Sequence, residues 1–144
     1  MYTFSDKSWD RLQTCHPDII AICKELIKLY DFSIIEGHRT QEEQMKYFRE
    51  GKSTLDGITK KSKHQTYPSM AIDIMPYKAG TNAFSGNKLD TARFYFMMGL
   101  VRAISERLYE EGKIAHKVRF GIDWDNDDVY TDQNFHDCPH FELV

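Results

Sequence analysis

The chain has 144 residues, 41% of them hydrophobic and 28% charged, with a formal charge of −3. That length suits one domain able to bury roughly two-thirds of its unfolded surface without disulfides. The small negative charge gives no electrostatic reason to expect nucleic acid or an anionic membrane as partner, and no apolar run approaches the ~18 residues of a membrane span. Cys15, Cys23 and Cys138 are odd in number and lack CxxC spacing. They indicate neither a disulfide framework nor a cysteine-rich zinc site, and they suit a reducing compartment. The first residues, Met-Tyr-Thr-Phe-Ser-Asp, carry no basic n-region and no apolar h-region. No signal peptide is therefore expected, and the chain is expected to fold in a cytoplasm.

The elements follow in order. A short helix is predicted over residues 5–13. Pro17 suits the first turn of a second helix, whose stripe Ile19, Ile22, Cys23, Leu26, Ile27 and Tyr30 recurs at helical spacing. Phe32, Ile34 and Ile35, closed by Gly37, read as a strand. Thr40-Gln41-Glu42-Glu43 is a capping box that opens a third helix running to about Gly51. Residues 52–68 are polar, Lys-rich and loop-like. Residues 70–75 alternate as a strand and end at Pro76. Asp90 or Thr91 can cap a long helix ending at Gly112, with Phe94, Met98, Val101, Ile104 and Leu108 on its buried stripe; Tyr95 and Phe96 are also expected in the core. Residues 118–120 and 141–144 read as short strands. No repeat or linker interrupts the chain. The expected fold is α+β, one domain over residues 1–144, with a small, mainly antiparallel sheet and flanking helices.

Chemistry concentrates in Ser62-Lys63-His64, Ala71-Ile72-Asp73 and Asp137-Cys138-Pro139-His140. Two histidines and an aspartate are the donor set from which a catalytic zinc is built, with the fourth position left to water. Asp137, three residues before His140, is a spare carboxylate able to take a proton from that water. Asp73 lies mid-strand between Ile72 and Ile74 and points to the opposite face. A carboxylate there needs a partner, and a salt bridge or a hydrogen-bonded edge position would serve as well as a metal. His136-Asp137-Cys138-Pro139-His140 has the outline of the helical H-E-x-x-H motif. Pro139, however, disfavours a helix carrying both histidines on one face. An extended segment fits better, with His140 as the ligand and His136 a loop residue.

These segments resemble the zinc D-alanyl-D-alanine carboxypeptidase/dipeptidase family, particularly its phage branch of L-alanyl-D-glutamate endopeptidases. The likeness rests on Ser62-Lys63-His64, Ala71-Ile72-Asp73 with Pro76-Tyr77, Arg119-Phe120-Gly121-Ile122-Asp123-Trp124, the ending Asp137-x-x-His140-Phe141-Glu142-Leu143-Val144, and Gly37-His38-Arg39-Thr40. It implies a Hedgehog-like peptidase fold with His64, Asp73 and His140 as zinc ligands and Asp137 as catalytic base. It also implies that Arg39 orients the scissile carbonyl or a substrate carboxylate. His64 and Asp73 are two residues further apart than in many members, which a loop before a strand can absorb; Tyr67 and Pro68 would reshape the pocket wall. The partner implied is the peptidoglycan stem peptide, cut by a monomeric catalytic domain without a separate wall-binding domain. Such a lysin accumulates in the host cytoplasm until the membrane is opened. Cleavage by a D-alanyl-D-alanine carboxypeptidase or dipeptidase is the alternative within enzymes, and a zinc-binding interaction domain is the alternative outside them. Asp137 argues against the last, because a structural zinc needs no spare base.

Three further features have ordinary readings. Asp123-Trp124-Asp125-Asn126-Asp127-Asp128 begins like a calcium loop but lacks the glycine and glutamate that loop requires later, so an acidic turn is expected. Trp124 either lines the substrate groove or fills the core. Lys60, Lys61 and Lys63 read as a solvated basic patch beside His64 that could favour an anionic cell wall.

Overall fold

A computed structural model describes residues 1–144. Side-chain caps set where its helices begin. The Ser5 hydroxyl accepts from the Ser8 amide at 3.1 Å and opens α1 (Asp6–Leu12). Pro17 starts α2 (Pro17–Leu26) behind His16, whose Nδ1 accepts from the Asp18 amide at 3.0 Å. The complete Thr40/Glu43 capping box starts α3 (Gln41–Arg49). The long α4 (Lys88–Glu110) is capped by Asn87 rather than by Asp90 or Thr91. Asn87 Oδ1 takes the Leu89 amide at 2.8 Å, and nothing in Lys88-Leu89-Asp90 interrupts helix, so the earlier cap prevails. Asp90 instead accepts a hydrogen bond from Ser85.

Four strands follow the apolar alternations: β1 (Phe32–Glu36), β2 (Ala71–Pro76), β3 (Val118–Phe120) and β4 (His140–Leu143). Their order is β1-β2-β4-β3, and every neighbouring pair is antiparallel. The C-terminal strand thus lies between β2 and β3, with Asp73 directly opposite His140. Residues 121–139 connect β3 to β4 as one long excursion carrying Trp124, the acidic turn and Asp137.

One face of this sheet is covered by α2 and α4. Ile72 and Ile74 of β2 and Phe141 and Leu143 of β4 are buried in one cluster with Ile19, Ile22, Leu26, Phe94, Met98, Val101, Ile104 and Leu108. Each such side chain contributes about 1.5–3 kcal/mol by leaving water. The expected α4 stripe is buried, and Met97 joins it. Phe96 does not: it is 63% exposed, one position round the helix from that stripe, with its ring 5.8 Å from Tyr30. With apolar residues committed to the helical face, alternate residues Asp73, His140 and Glu142 point to the other face.

The Lys-rich segment over residues 52–68 is anchored. Gln44, fully buried on α3, donates to Ser53 Oγ at 2.9 Å and to the Leu55 carbonyl at 2.7 Å. Ser62 and Gln65 cap each other's backbone around a single 3-10 turn, Lys63–Gln65, which holds His64. No helix is long and apolar enough to cross a membrane.

Candidate active site

The non-helical face of the sheet gathers three residues from distant parts of the chain. His64 comes from the 3-10 turn, Asp73 from β2 and His140 from β4, and their ligand-type atoms lie within 4.8 Å of one another. His64 Nε2 stands 3.3 Å from His140 Nδ1 and 3.4 Å from Asp73 Oδ1, while His140 Nδ1 stands 3.1 Å from the same oxygen. His64 is 2% exposed and His140 6%.

Hydrogen bonds on the far side of each ring decide which nitrogen faces the centre. The His64 Nδ1 proton is donated to the Gly37 carbonyl at 2.7 Å, which leaves Nε2 as a bare lone pair pointing inward. His140 Nε2 donates to Glu142 Oε1 at 2.8 Å, so Nδ1 points inward. Two inward lone pairs and a carboxylate oxygen within 3.1–3.4 Å repel unless a cation lies among them. In the chain alone a proton fills that role. Burial works against charge on His140, but Asp73 and Glu142 outweigh it and raise its pKa to about 9. Burial likewise opposes ionisation of Asp73, yet His64 and His140 hold its carboxyl well below the usual range. A metal ion suits the same centre and would compete with that proton.

Asp137 lies beside the cluster, with Oδ2 3.9 Å from His140 Nδ1. Burial first, and the Asp73 charge second, raise its pKa above that of an ordinary carboxylate. Its backbone is pinned by Gly121, whose carbonyl accepts from the Asp137 amide at 2.9 Å. A Cβ at Gly121 would collide with the Asp137 carbonyl oxygen, so only glycine lets the two segments approach this closely. Arg39 stands on the opposite side of Asp73, with Nη2 3.8 Å from Oδ2. Glu36 grips its guanidinium at 3.0 and 2.7 Å, Gln44 accepts from Nη1 at 2.6 Å, and the Tyr47 ring lies 4.7 Å below. The Trp124 ring centroid is 5.4 Å from that of His140, and Trp124 is half-buried, so it walls the site.

His136 is exposed and turned to the Tyr130 carbonyl, and Cys138 is half-buried beside Tyr95; neither joins the cluster. Asp123, Asp125 and Asp127 also approach one another, but Asp123 is buried and accepts the Asp127 and Asp128 amides, as a tight acidic turn requires. Lys63 is not part of a solvated patch. Its ammonium lies 3.4 Å from Glu142 and donates to the Leu143 carbonyl. Sequence reasoning assigned no role to Glu36, Gln44, Gly121 or Glu142. For Glu142 a signal existed: two residues past His140 on a strand, it must share that residue's face.

A small antiparallel sheet bearing a buried His-Asp-His cluster able to hold a metal ion, with an acid beside it and an arginine opposite, is an arrangement suited to a hydrolase of the peptidase type. A family model described as phage L-alanyl-D-glutamate peptidase matches residues 1–144. The chain belongs to that family. It is 30% identical to the L-alanyl-D-glutamate peptidase of Escherichia phage T5, over 99% of this chain and 98% of the phage protein. Its fold matches the crystal structure of the Serratia marcescens L-Ala D-Glu endopeptidase ChiX with a TM-score of 0.68 at 24% identity. That match covers 98% of this chain and 89% of ChiX.

Proposed function

We propose that this protein is a zinc endopeptidase that hydrolyses the L-alanyl-D-glutamate bond of the peptidoglycan stem peptide. The observation that carries this reading is the convergence of His64 Nε2, Asp73 Oδ1 and His140 Nδ1, with Asp137 alongside, in a chain of this family. His64, Asp73 and His140 would hold the metal through two imidazoles and one carboxylate. Zinc held there supplies a Lewis acid that polarises the scissile carbonyl and lowers the pKa of water.

The remaining steps belong to the chain's own side chains. Asp137 takes the proton of the attacking water and delivers it to the leaving amine, work suited to a carboxylate whose pKa is raised. Arg39, its charge fixed by Glu36, faces negative charge developing on the carbonyl oxygen or holds a substrate carboxylate. Trp124 shields His140 and forms a wall of the groove. Because the site draws on residues 39 to 140, the whole chain serves as one catalytic domain, which we read as a monomer. It acts on the wall after synthesis in a host cytoplasm and opening of the membrane.

Mass spectrometry of fragments released from purified peptidoglycan, with and without a chelator and after adding zinc back, tests bond and metal together. The expected result is a new D-glutamate amino group and L-alanine left on the lactyl-linked sugar, abolished by chelator and restored by zinc. Release of D-alanine or D-alanyl-D-alanine without a new glutamate amine would instead assign a carboxypeptidase or dipeptidase.

A further inference from the structure

Glu142 is 5% exposed and lies at the centre of a charge network that reaches both histidine-bearing segments. Its Oε1 accepts the His140 Nε2 proton at 2.8 Å. Its Oε2 is 2.7 Å from Arg119 Nη2, across the β3–β4 register that sets Arg119 opposite Glu142. The Lys63 ammonium, on the residue preceding His64, stands 3.4 Å from the same Oε2. One oxygen therefore faces two cations while the other faces the imidazole.

We infer that Glu142 is a positioning residue: held by Arg119 and Lys63, it dictates that His140 presents Nδ1 to the metal centre. This deepens the zinc reading above and rests on it. A carboxylate has no proton to offer, so an imidazole nitrogen facing it must be the donor. That keeps a hydrogen on Nε2 and makes Nδ1 the nitrogen that gives up its proton to a metal. Carboxylates behind metal-bound histidines commonly act this way, and losing one typically costs ~10–100-fold in metal affinity. Here Arg119 and Lys63 add a directional element, because they fix which oxygen is turned away from the ring.

The consequence is sharpest for Glu142→Gln. The glutamine oxygen is drawn to Arg119 and Lys63, which accept nothing and only donate. Its NH2 group then faces His140 Nε2, which must become the acceptor. The hydrogen moves to Nδ1, the atom needed by the metal. A nearly isosteric substitution thus selects the wrong tautomer. Removing the two cations frees the amide to turn its oxygen back toward the ring.

The test compares wild type, Glu142→Gln and the triple variant Glu142→Gln/Arg119→Met/Lys63→Met. Zinc dissociation constants come from competition with a chromophoric chelator, and histidine tautomers from 15N NMR of the zinc-loaded and metal-free proteins. Circular dichroism melting of the metal-free forms checks folding. Glu142→Gln is expected to weaken zinc binding ~10–100-fold and to strip the hydrogen from His140 Nε2, which the wild type keeps in both the metal-free and zinc-loaded forms. The triple variant is expected to recover at least part of both. Wild-type affinity and tautomer in Glu142→Gln would overturn the assignment, as would a triple variant that binds zinc no better than Glu142→Gln. Should Glu142→Gln fail to fold, Arg119→Met with Lys63→Met in the native background decides: a Glu142 held by these cations predicts weaker zinc binding, and unchanged binding overturns the role given to them. Failure of wild type to bind zinc would refute the zinc reading instead.

Discussion

Two clusters in this molecule share the composition His-Asp-His, and in both the ligand-type atoms lie within 4.8 Å of one another. His64, Asp73 and His140 form one; His16, Asp18 and His116 form the other. In the second, donors and acceptors are matched. His16 Nδ1 accepts the Asp18 amide at 3.0 Å. Asp18 Oδ2 accepts the amides of Ala115 and His116 at 3.0 and 3.1 Å and the His116 ring nitrogen at 2.8 Å. The cluster clips the loop ahead of β3 to the N-terminus of α2, where the helix's partial positive charge also disfavours a cation. In the first cluster the outward nitrogens are satisfied by Gly37 and Glu142, so the inward atoms are acceptors with no donor of their own except a proton on His140. Ligand-type residues in proximity are not enough to hold a metal; their lone pairs must also be directed inward.

The largest effect that could break this contrast is a histidine-to-alanine exchange in each cluster. His140→Ala should remove bound zinc and activity together, because two remaining ligands hold the ion poorly. His116→Ala should retain one zinc per chain and near-normal turnover while lowering stability by about 1 kcal/mol. Metal analysis of the purified proteins and fragment release from peptidoglycan measure both. Zinc retained by His140→Ala and lost from His116→Ala would invert the two assignments.

Asp137→Asn is next in size. It preserves shape but cannot accept a proton, so zinc content should stay near one per chain while turnover falls ~10²–10⁴-fold. Near-normal turnover would show that the base lies elsewhere. Asp18→Asn touches only the clip. It should leave zinc stoichiometry unchanged and cost about 1–3 kcal/mol at neutral pH, since the amides of Ala115 and His116 lose a charged acceptor. Urea unfolding checks this.

The smallest effect is a pH dependence. Burial opposes the charge on Asp18, but the hydrogen bonds from His116 and Ala115 prevail and lower its pKa below the ordinary 3.8. A depressed folded-state pKa means that the unfolded chain binds the proton more readily. The stabilisation is then fully present above about pH 4–5 and is lost as pH falls through the folded value. The stability difference between wild type and Asp18→Asn should be flat from neutrality to about pH 5 and shrink below about pH 4. A difference that already changes between about pH 7 and 5 would overturn the assignment of this dependence to Asp18.

Much of this molecule is legible in its residue order because the deciding interactions are local. Ser5, Pro17 and the Thr40/Glu43 box mark helix starts through side chains reaching amides two or three residues away. The α4 stripe announces its buried face by periodicity alone. Pro139 forbids a helix through His136 and His140, which leaves His140 as the first residue of a strand. The identities of His64, Asp73, His140, Asp137 and Arg39 as candidates were readable because few residue types carry such chemistry. What only the tertiary structure decided depends on groups far apart in the chain. Which nitrogen of His64 faces inward is set by the Gly37 carbonyl, 27 residues away. The approach that seats Asp137 exists because Gly121 has no side chain. Glu142 matters because β4 lies between β2 and β3, bringing Arg119 opposite it and Lys63 beside it. Spacing along a chain names donors and acceptors, but their directions are set by strand register and close packing, and those arise only when distant segments meet.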